Sequence, residues 1–418
     1  MSKSRMIEET DAVERIVVFN KQWDGRLLSR KFDAMAHDAS SFLRASAHLF
    51  FERLAGMALP ASPLVFGSGD LHLENFGSYS GENRLTYFDQ NDFDEAALMP
   101  ACVEMVRFLA SIMITVRLHE PDDLDPRRQA KQALDAYAQA LADGKPAWIE
   151  RELARGTVAD LMSGLSGRSH RDQLDLFTRV GRHGRRKLLR DGRRSFPLPR
   201  DREPSETEIK AMLAAIGKER GERGFWKMRD LAFRIAGKGS LGRPRYIALL
   251  KGHGDPDGNV LVDIKSAWPS AALAAVPTLQ PIFADAAERV VFVQRLAQAR
   301  SPAFLQASLL SNHPFVLREL QPSEDRIAIE ALVERPKRLG LAVETLARIA
   351  AWDQLRGCGR RGAAGAEELI AFGAEDYWRR DLLEAASECA AEVERDYASF
   401  EAAWRRRDPR LTTLTGSG

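Results

Sequence analysis

Cysteine is scarce in this sequence, and so are long apolar runs. The 418 residues include three cysteines, Cys102, Cys358 and Cys389. An odd number spaced so widely excludes a disulfide framework and offers no cysteine-based zinc site. The longest strongly apolar run, Phe108 to Val116, falls well short of the roughly 20 residues that a membrane span requires, so no membrane partner is expected. The opening stretch MSKSRMIEETDAVERIV is charged and has no apolar core. It does not read as a secretory leader, and a reducing cytoplasm is the expected location. An excess of one charge is missing too: 61 Lys and Arg against 59 Asp and Glu leave a net charge of +2. Composition therefore gives no reason to expect a nucleic-acid partner.

What is present is globular. Hydrophobic residues make up 44% and charged residues 29%, enough apolar surface for a buried core. A chain of 418 residues exceeds what a single core accommodates and predicts at least two lobes with a cleft between them. The texture divides the chain into a helical part over 1–230, a small β-rich part over 231–325 and a returning helical part over 326–418.

Helical spacing puts Phe42, Leu43, Leu49, Phe50 and Leu54 on one face of a helix over 36–57, which Pro60 and Pro63 stop. The stretch LVFGSGD reads as a short strand that runs into a loop, and a second strand over 85–88 comes after the turn-forming SGEN. Val103, Val106, Leu109, Ile112, Met113 and Val116 define a core helix, and two more are expected near 126–143 and 146–165. Residues 179–202 carry ten Lys or Arg against two Asp, the pattern of a solvated basic linker or exposed helix. Tyr246–Leu250 and Val260–Ile264 form a hairpin across GHGDPDGN. A helix, the strand HPFVLREL and helices over 327–356 and 374–406 come next, and the terminal RRRDPRLTTLTGSG reads as frayed.

Two clusters carry chemistry. GDLHLEN places Asp70, His72, Glu74 and Asn75 at the end of a strand, and NDFDEA places Asp92 about 17 residues beyond Asn75. Asp and Asn commonly cap turns, which is the plainer role for an isolated Asp-x-His. Two such clusters on one strand–turn–strand unit argue for a site instead. Mg²⁺ takes oxygen ligands and is held by one or two carboxylates plus substrate phosphates. Asn75 and Asp92 can supply such ligands, leaving Asp70 to orient a hydroxyl nucleophile, as phosphoryl transfer demands. His72 has no second His or Cys at ligand spacing, so it reads as a brace for the loop.

The stretch GKGSLG, Gly237 to Gly242, fits G-x-G-x-x-G. Residues 243–265 read as strand, turn, strand, which suits a glycine-rich flap over phosphates rather than a dinucleotide fold. Lys265 on the second of these strands is placed to reach those phosphates, with Glu288 as its expected partner and Asp285 one turn earlier.

Together these pieces resemble the protein-kinase-like superfamily, in its aminoglycoside-phosphotransferase and small-molecule-kinase branch. There a G-D-x-H-x-x-N loop precedes a metal-binding Asp-Phe or Asp-Trp. Gly69, Asp70, His72 and Asn75 match the first motif and Asp92-Phe93 the second. The resemblance implies Asp70 as catalytic base, His72 beside it in the catalytic loop, and Asn75 and Asp92 as ligands of Mg²⁺. It also implies that Gly237, Gly239, Ser240 and Gly242 cover the phosphates of ATP, that Lys265 is paired with Glu288, and that Glu319 lies near the hinge. Asp89 is an alternative to Asp92. Glu104 stands where an Asp is expected, and its partner at i+3 is Arg107.

The implied fold is α+β, a protein-kinase-like two-lobed fold in circularly permuted order, with a mostly helical C-lobe and a small antiparallel-sheet N-lobe. The implied activity is ATP- and Mg²⁺-dependent phosphotransfer to a small-molecule or protein hydroxyl. Nucleotidyl transfer and a non-catalytic nucleotide-binding module are the alternatives. A metal-dependent phosphoesterase needs further His and Asp clusters, whereas the eight histidines here are scattered. Through FLRASA, GDLHLENFG, NDFDEA, GKGSLG and IKSA the chain also resembles a bacterial family called domain of unknown function 2252, a name that carries no activity.

Overall fold

The computed structural model describes residues 11–119, 124–166, 169–199, 204–237, 239, 241–276, 278–321 and 330–416. Among these residues four short helices come first: α1 (Ala12–Asn20), α2 (Gly25–Met35), α3 (Ala39–Ala45) and α4 (Ala47–Arg53). Asp11, Asp24 and Asp38 each accept a backbone N–H at the start of the first three, the service that makes Asp a preferred N-cap. The single helix expected over 36–57 is thus broken in two. Ser46, with φ −127° and ψ 36°, leaves the helical region and donates its hydroxyl to the Phe42 carbonyl at 2.6 Å, a local bond that competes with the helix ladder.

Strands β1 (Leu64–Gly67), β2 (Phe76–Ser80), β3 (Thr86–Gln90) and β4 (Ala97–Pro100) come next. β1 pairs antiparallel with β4, and β2 with β3. The connections 68–75 and 91–96 therefore both run from one strand pair to the other, side by side. Helix α5 (Ala101–His119) is buried over most of its length and packs on α6 (Pro126–Asp143). Part of the helix expected over 146–165 is instead the strand β5 (Ile149–Glu150), paired with β3 and succeeded by α7 (Gly156–Ser166). Pro146 biases the residue before it toward extended backbone.

The basic stretch is not a plain linker. After α8 (His170–Asp175) come a hairpin of β6 (Thr178–Val180) and β7 (Arg186–Leu188), then β8 (Ser195–Phe196). Arg186 is buried against Asp175, Asp257 and the Pro256 carbonyl, and Arg190 pairs with Asp230 at 2.8 Å. Several of these charges are therefore tied into the fold.

Helix α9 (Glu206–Glu219) leads to β9 (Met228–Arg234), β10 (Arg245–Gly254), β11 (Gly258–Ser266), α10 (Ala286–Ala297), β12 (Gln306–Leu310) and β13 (His313–Glu319). The strands form one antiparallel sheet in the order β12-β13-β11-β10-β9-β8. Tyr246, Ala248, Leu250, Val260, Val262 and Ile264 pack with Ile209 and Leu213 of α9. Strand alternation then turns Leu261, Asp263 and Lys265 to the opposite face. Because α9 and Trp226 belong to this core, the β-rich unit draws on residues before position 231.

The chain returns through α11 (Pro336–Gly357), α12 (Ala366–Ala374), α13 (Arg379–Arg405) and α14 (Pro409–Thr415). The last of these occupies the end expected to fray: Asp408 caps it, Pro409 starts it and Leu411 is fully buried. Helix α13 packs on α5, and α14 on α1 and α2, so one large hydrophobic cluster runs from Ala12 to Leu411. A further cluster joins Phe66 and Leu98 to Val290 and Val293 of α10, tying the sheet to the strands that carry the two loops. The protein is thus mixed α+β with antiparallel sheets. Among the described residues no helix is long and apolar enough to cross a membrane.

Candidate functional site

Loop 68–75 is gripped from below by α5. Glu104 accepts from the Ser68 backbone N–H at 2.5 Å, the Ser68 hydroxyl at 2.8 Å and Gln354 Nε2 at 3.0 Å. Arg107, one turn later, donates Nε at 2.7 Å and Nη2 at 2.5 Å to Asp70 Oδ1, and Nη2 to the Leu43 carbonyl at 2.8 Å. The expected Glu104–Arg107 pair is not the one made; tertiary partners one and three residues past β1 take both side chains. Gly69 has φ +81°, and a Cβ there would lie 2.0 Å from the Glu95 carbonyl oxygen. Only glycine fits, and this contact brings the two loops together.

Asn75 clips them. Its Nδ2 donates to the carbonyls of Asp70 (3.1 Å) and Asp92 (3.2 Å), while Oδ1 accepts the Asp92 N–H at 2.8 Å. His72 is buried, and its Nδ1 accepts the Glu74 N–H at 3.1 Å. Burial pushes the Asp70 carboxyl above its ordinary value; Arg107 opposes the rise, while Glu95 and Asp92 add to it. Glu104 is likewise pushed up by burial, against its bonds to Ser68 and Gln354.

On the second loop the Asp92 side chain is 45% exposed and Asp94 18%. Lys265 Nζ lies 2.7 Å from Asp94 and 3.3 Å from Asp92. This corrects the expected pairing with Glu288, which is exposed on α10. Asp285 caps that helix by accepting the Glu288 N–H at 2.9 Å, which turns Ala287, Val290 and Val291 inward. The neighbouring Arg289 goes in as well, donating to the carbonyls of Ala96 (2.5 Å), Asp94 (2.7 Å) and Trp268 (3.0 Å). Asp89 lies apart, buried 3.0 Å from Arg356.

The glycine-rich segment joins β9 to β10, with Gly237 at φ +82° and Gly242 at φ +100°. A Cβ on Gly239 would lie 2.9 Å from the Arg44 carbonyl oxygen. Ser240 lies outside the described residues. A cavity of about 40 Å³ is lined by Asp70, Asp92, Asp94 and Glu95, by Gly239 and Arg243, and by Phe19, Arg44 and His48. Arg243 stands 3.5 Å from Asp94 and 3.8 Å from Glu95. Asp70, Asp92 and Gly239, remote in sequence, thus share one cavity, and Lys265 is ion-paired to two of its acids.

Glu319 is elsewhere. It pairs with Arg84 at 3.0 Å and lines a cavity of about 550 Å³ with Ser80, Thr86, His253, Asp257 and Gln321. Burial pushes its carboxyl above the ordinary value, and Arg84 opposes this. Sequence reasoning missed Arg107 as the partner of Asp70, Asp94 as that of Lys265, and Arg44, His48 and Arg243 altogether. The second acid of DFDEA and the arginine directly after the last glycine were the available signals.

Fold and site together define a mixed α+β protein in which two acidic loops and a glycine turn close on one cavity. The chain belongs to the family described as an uncharacterized protein conserved in bacteria, DUF2252, whose family model matches residues 24–403. No curated protein and no solved structure matches it.

Proposed function

We propose that the protein is an ATP- and Mg²⁺-dependent phosphotransferase acting on a small-molecule or protein hydroxyl, built on a kinase-like fold in permuted order. The observation that carries this reading is the shared cavity of Asp70, Asp92 and Gly239. It joins a catalytic-loop motif, a metal-loop motif and a glycine flap. The order of parts on the sheet adds support: the glycine turn links β9 to β10, and the lysine stands on β11, the next strand. Kinases likewise use a glycine-rich loop with a strand-borne lysine after it. The first and last described helices pack together, a closeness that permuted order relies on.

Among the described residues, no three His, Cys, Asp or Glu side chains converge as a metal cage. Asp92 and Asp94 suit a Mg²⁺ ion held by one or two carboxylates plus phosphate oxygens, and the second lone pair of Asn75 Oδ1 is compatible with the same ion. When bound, the metal neutralises charge on the phosphates. Asp70 orients the acceptor hydroxyl and takes its proton, and Arg107 fixes the carboxylate's position. Lys265, ion-paired to Asp92 and Asp94, is the strand-borne cation that would meet the phosphates. The 550 Å³ cavity is in the size range of small-ligand sites and is assigned to the nucleoside end. It lies along the same β2–β3 ribbon that emerges from Asn75 and returns to Asp92.

The test is a thermal shift of the full chain with ATP and Mg²⁺ against ATP with a chelator. Stabilisation that requires the metal is expected; none with either mixture overturns the reading. The product mass then separates phosphate from AMP adducts.

A further inference from the structure

One wall of the small cavity consists of α3 and α4, and it holds buried polar groups that nothing among the described residues answers. His48 is 2% exposed, lines the cavity, and neither ring nitrogen has a partner among the described residues. Its ring lies flat on Phe19, with centroids 3.9 Å and planes 1° apart, so stacking fixes its orientation. Arg44, also buried, gives Nη1 to Glu74, and its Nε has no partner among the described residues. Buried polar groups left unpaired are costly and rare, and such a group calls for an explanation.

Charge identifies the missing partner. Burial first, and then the cations Lys31, Arg15, Arg107 and Arg243, hold His48 well below the ordinary imidazole value. The ring is therefore neutral with one N–H donor, and the charges that bear on it most are cationic. The acids of the cavity already have partners: Asp70 has Arg107, and Asp92 and Asp94 have Lys265. Glu95 accepts the Ala271 N–H at 2.6 Å. A buried guanidinium with an unused Nε–H and an imidazole with a free N–H, on two residues that line the same cavity, suit an oxyanion, because hydrogen bonds to a charged partner are the stronger kind. A volume of about 40 Å³ admits a group of a few water-sized atoms rather than a nucleotide.

We propose that His48 and Arg44 form a binding wall for a phosphoryl-type oxyanion inside this cavity. The proposal deepens the phosphotransferase reading and rests on it for the source of the anion, which is either the terminal phosphate of the nucleotide or an anionic group on the acceptor. The experiment is a titration of the full-length protein with inorganic phosphate, monitored through the imidazole nitrogen signals of His48, which are identified by their loss in His48→Phe. A saturable shift is expected. It should weaken about tenfold in Arg44→Lys, which keeps a cation for Glu74 but removes the Nε donor.

A flat His48 signal, or an unchanged midpoint in Arg44→Lys, overturns the proposal. Repeating the titration on protein saturated with Mg²⁺–ADP and with Mg²⁺–ATP assigns the source. A response kept with ADP and abolished by ATP marks the terminal phosphate, and a response kept with both marks the acceptor. If neither nucleotide binds, the phosphotransferase reading fails while the phosphate titration still decides the wall.

Discussion

Asp89 and Asp92 stand on the same short segment and have opposite surroundings. Asp89 lies near the end of β3, is 2% exposed, and shares the Arg356 guanidinium with Asp353. Asp92, just past the strand, is 45% exposed and borders the cavity beside Lys265. An acid sealed against a guanidinium and a second carboxyl serves packing. An acid left half open beside a lysine can exchange that lysine for a ligand. In the proposed reading the difference favours Asp92 as the one offered to a metal, a choice the letters DQNDFDEA leave open.

Breaking the buried side should have the largest effect. Arg356→Met strands Asp89 and Asp353 without their cation, and removing one partner of a buried pair costs about 3–5 kcal/mol; urea unfolding measures it. Asp92→Ala should cost less than about 1 kcal/mol, as half-exposed pairs do. Equal losses would erase the contrast.

The open side is sharpened by ligand. At about 100 times its Kd, Mg²⁺–ATP should stabilise the wild type by about 2.7 kcal/mol. Asp92→Ala and Lys265→Ala should each lose most of that gain in a thermal melt.

A pH series probes the sealed side again. Burial first, then the Asp89 charge, holds the Asp353 carboxyl well above the ordinary carboxylate range. The folded state therefore binds this proton more tightly than the unfolded one. The contribution to stability is complete below the unfolded value of about 4 and is lost as pH rises through the raised folded value. Asp353→Asn, neutral at every pH, should flatten that decline in urea midpoints. The smallest effect is expected at the cavity wall: His48→Phe keeps the stack on Phe19, removes two unpaired nitrogens, and should raise stability by about 1 kcal/mol.

Elements whose own residues dictate them were legible in the sequence. Apolar spacing marks α5, and β-rich runs around a turn mark the β10–β11 hairpin. The motif residues Asp70 and Asp92 were likewise legible, because each motif lies within a few positions. What escaped depended on partners far along the chain. Spacing at i,i+3 pairs Arg107 with Glu104, yet each reaches a different residue of the loop. Analogy pairs Glu288 with Lys265, but the capping of α10 by Asp285 sets the helix phase and turns Glu288 outward. The terminal helix α14 has a local signal that composition obscures: Asp408 before Pro409 is an N-cap with proline in the first turn after it.

The central claim is that the acid loop and the glycine flap meet one metal–nucleotide complex. Replacing Mg²⁺ by paramagnetic Mn²⁺ in the ATP complex and recording backbone amide spectra tests it most directly. The account predicts that the signals of Asp92 and Gly239 broaden together at the same sub-stoichiometric addition, and recover when excess Mg²⁺–ATP displaces the probe. Broadening of one segment without the other, or of neither, would contradict it.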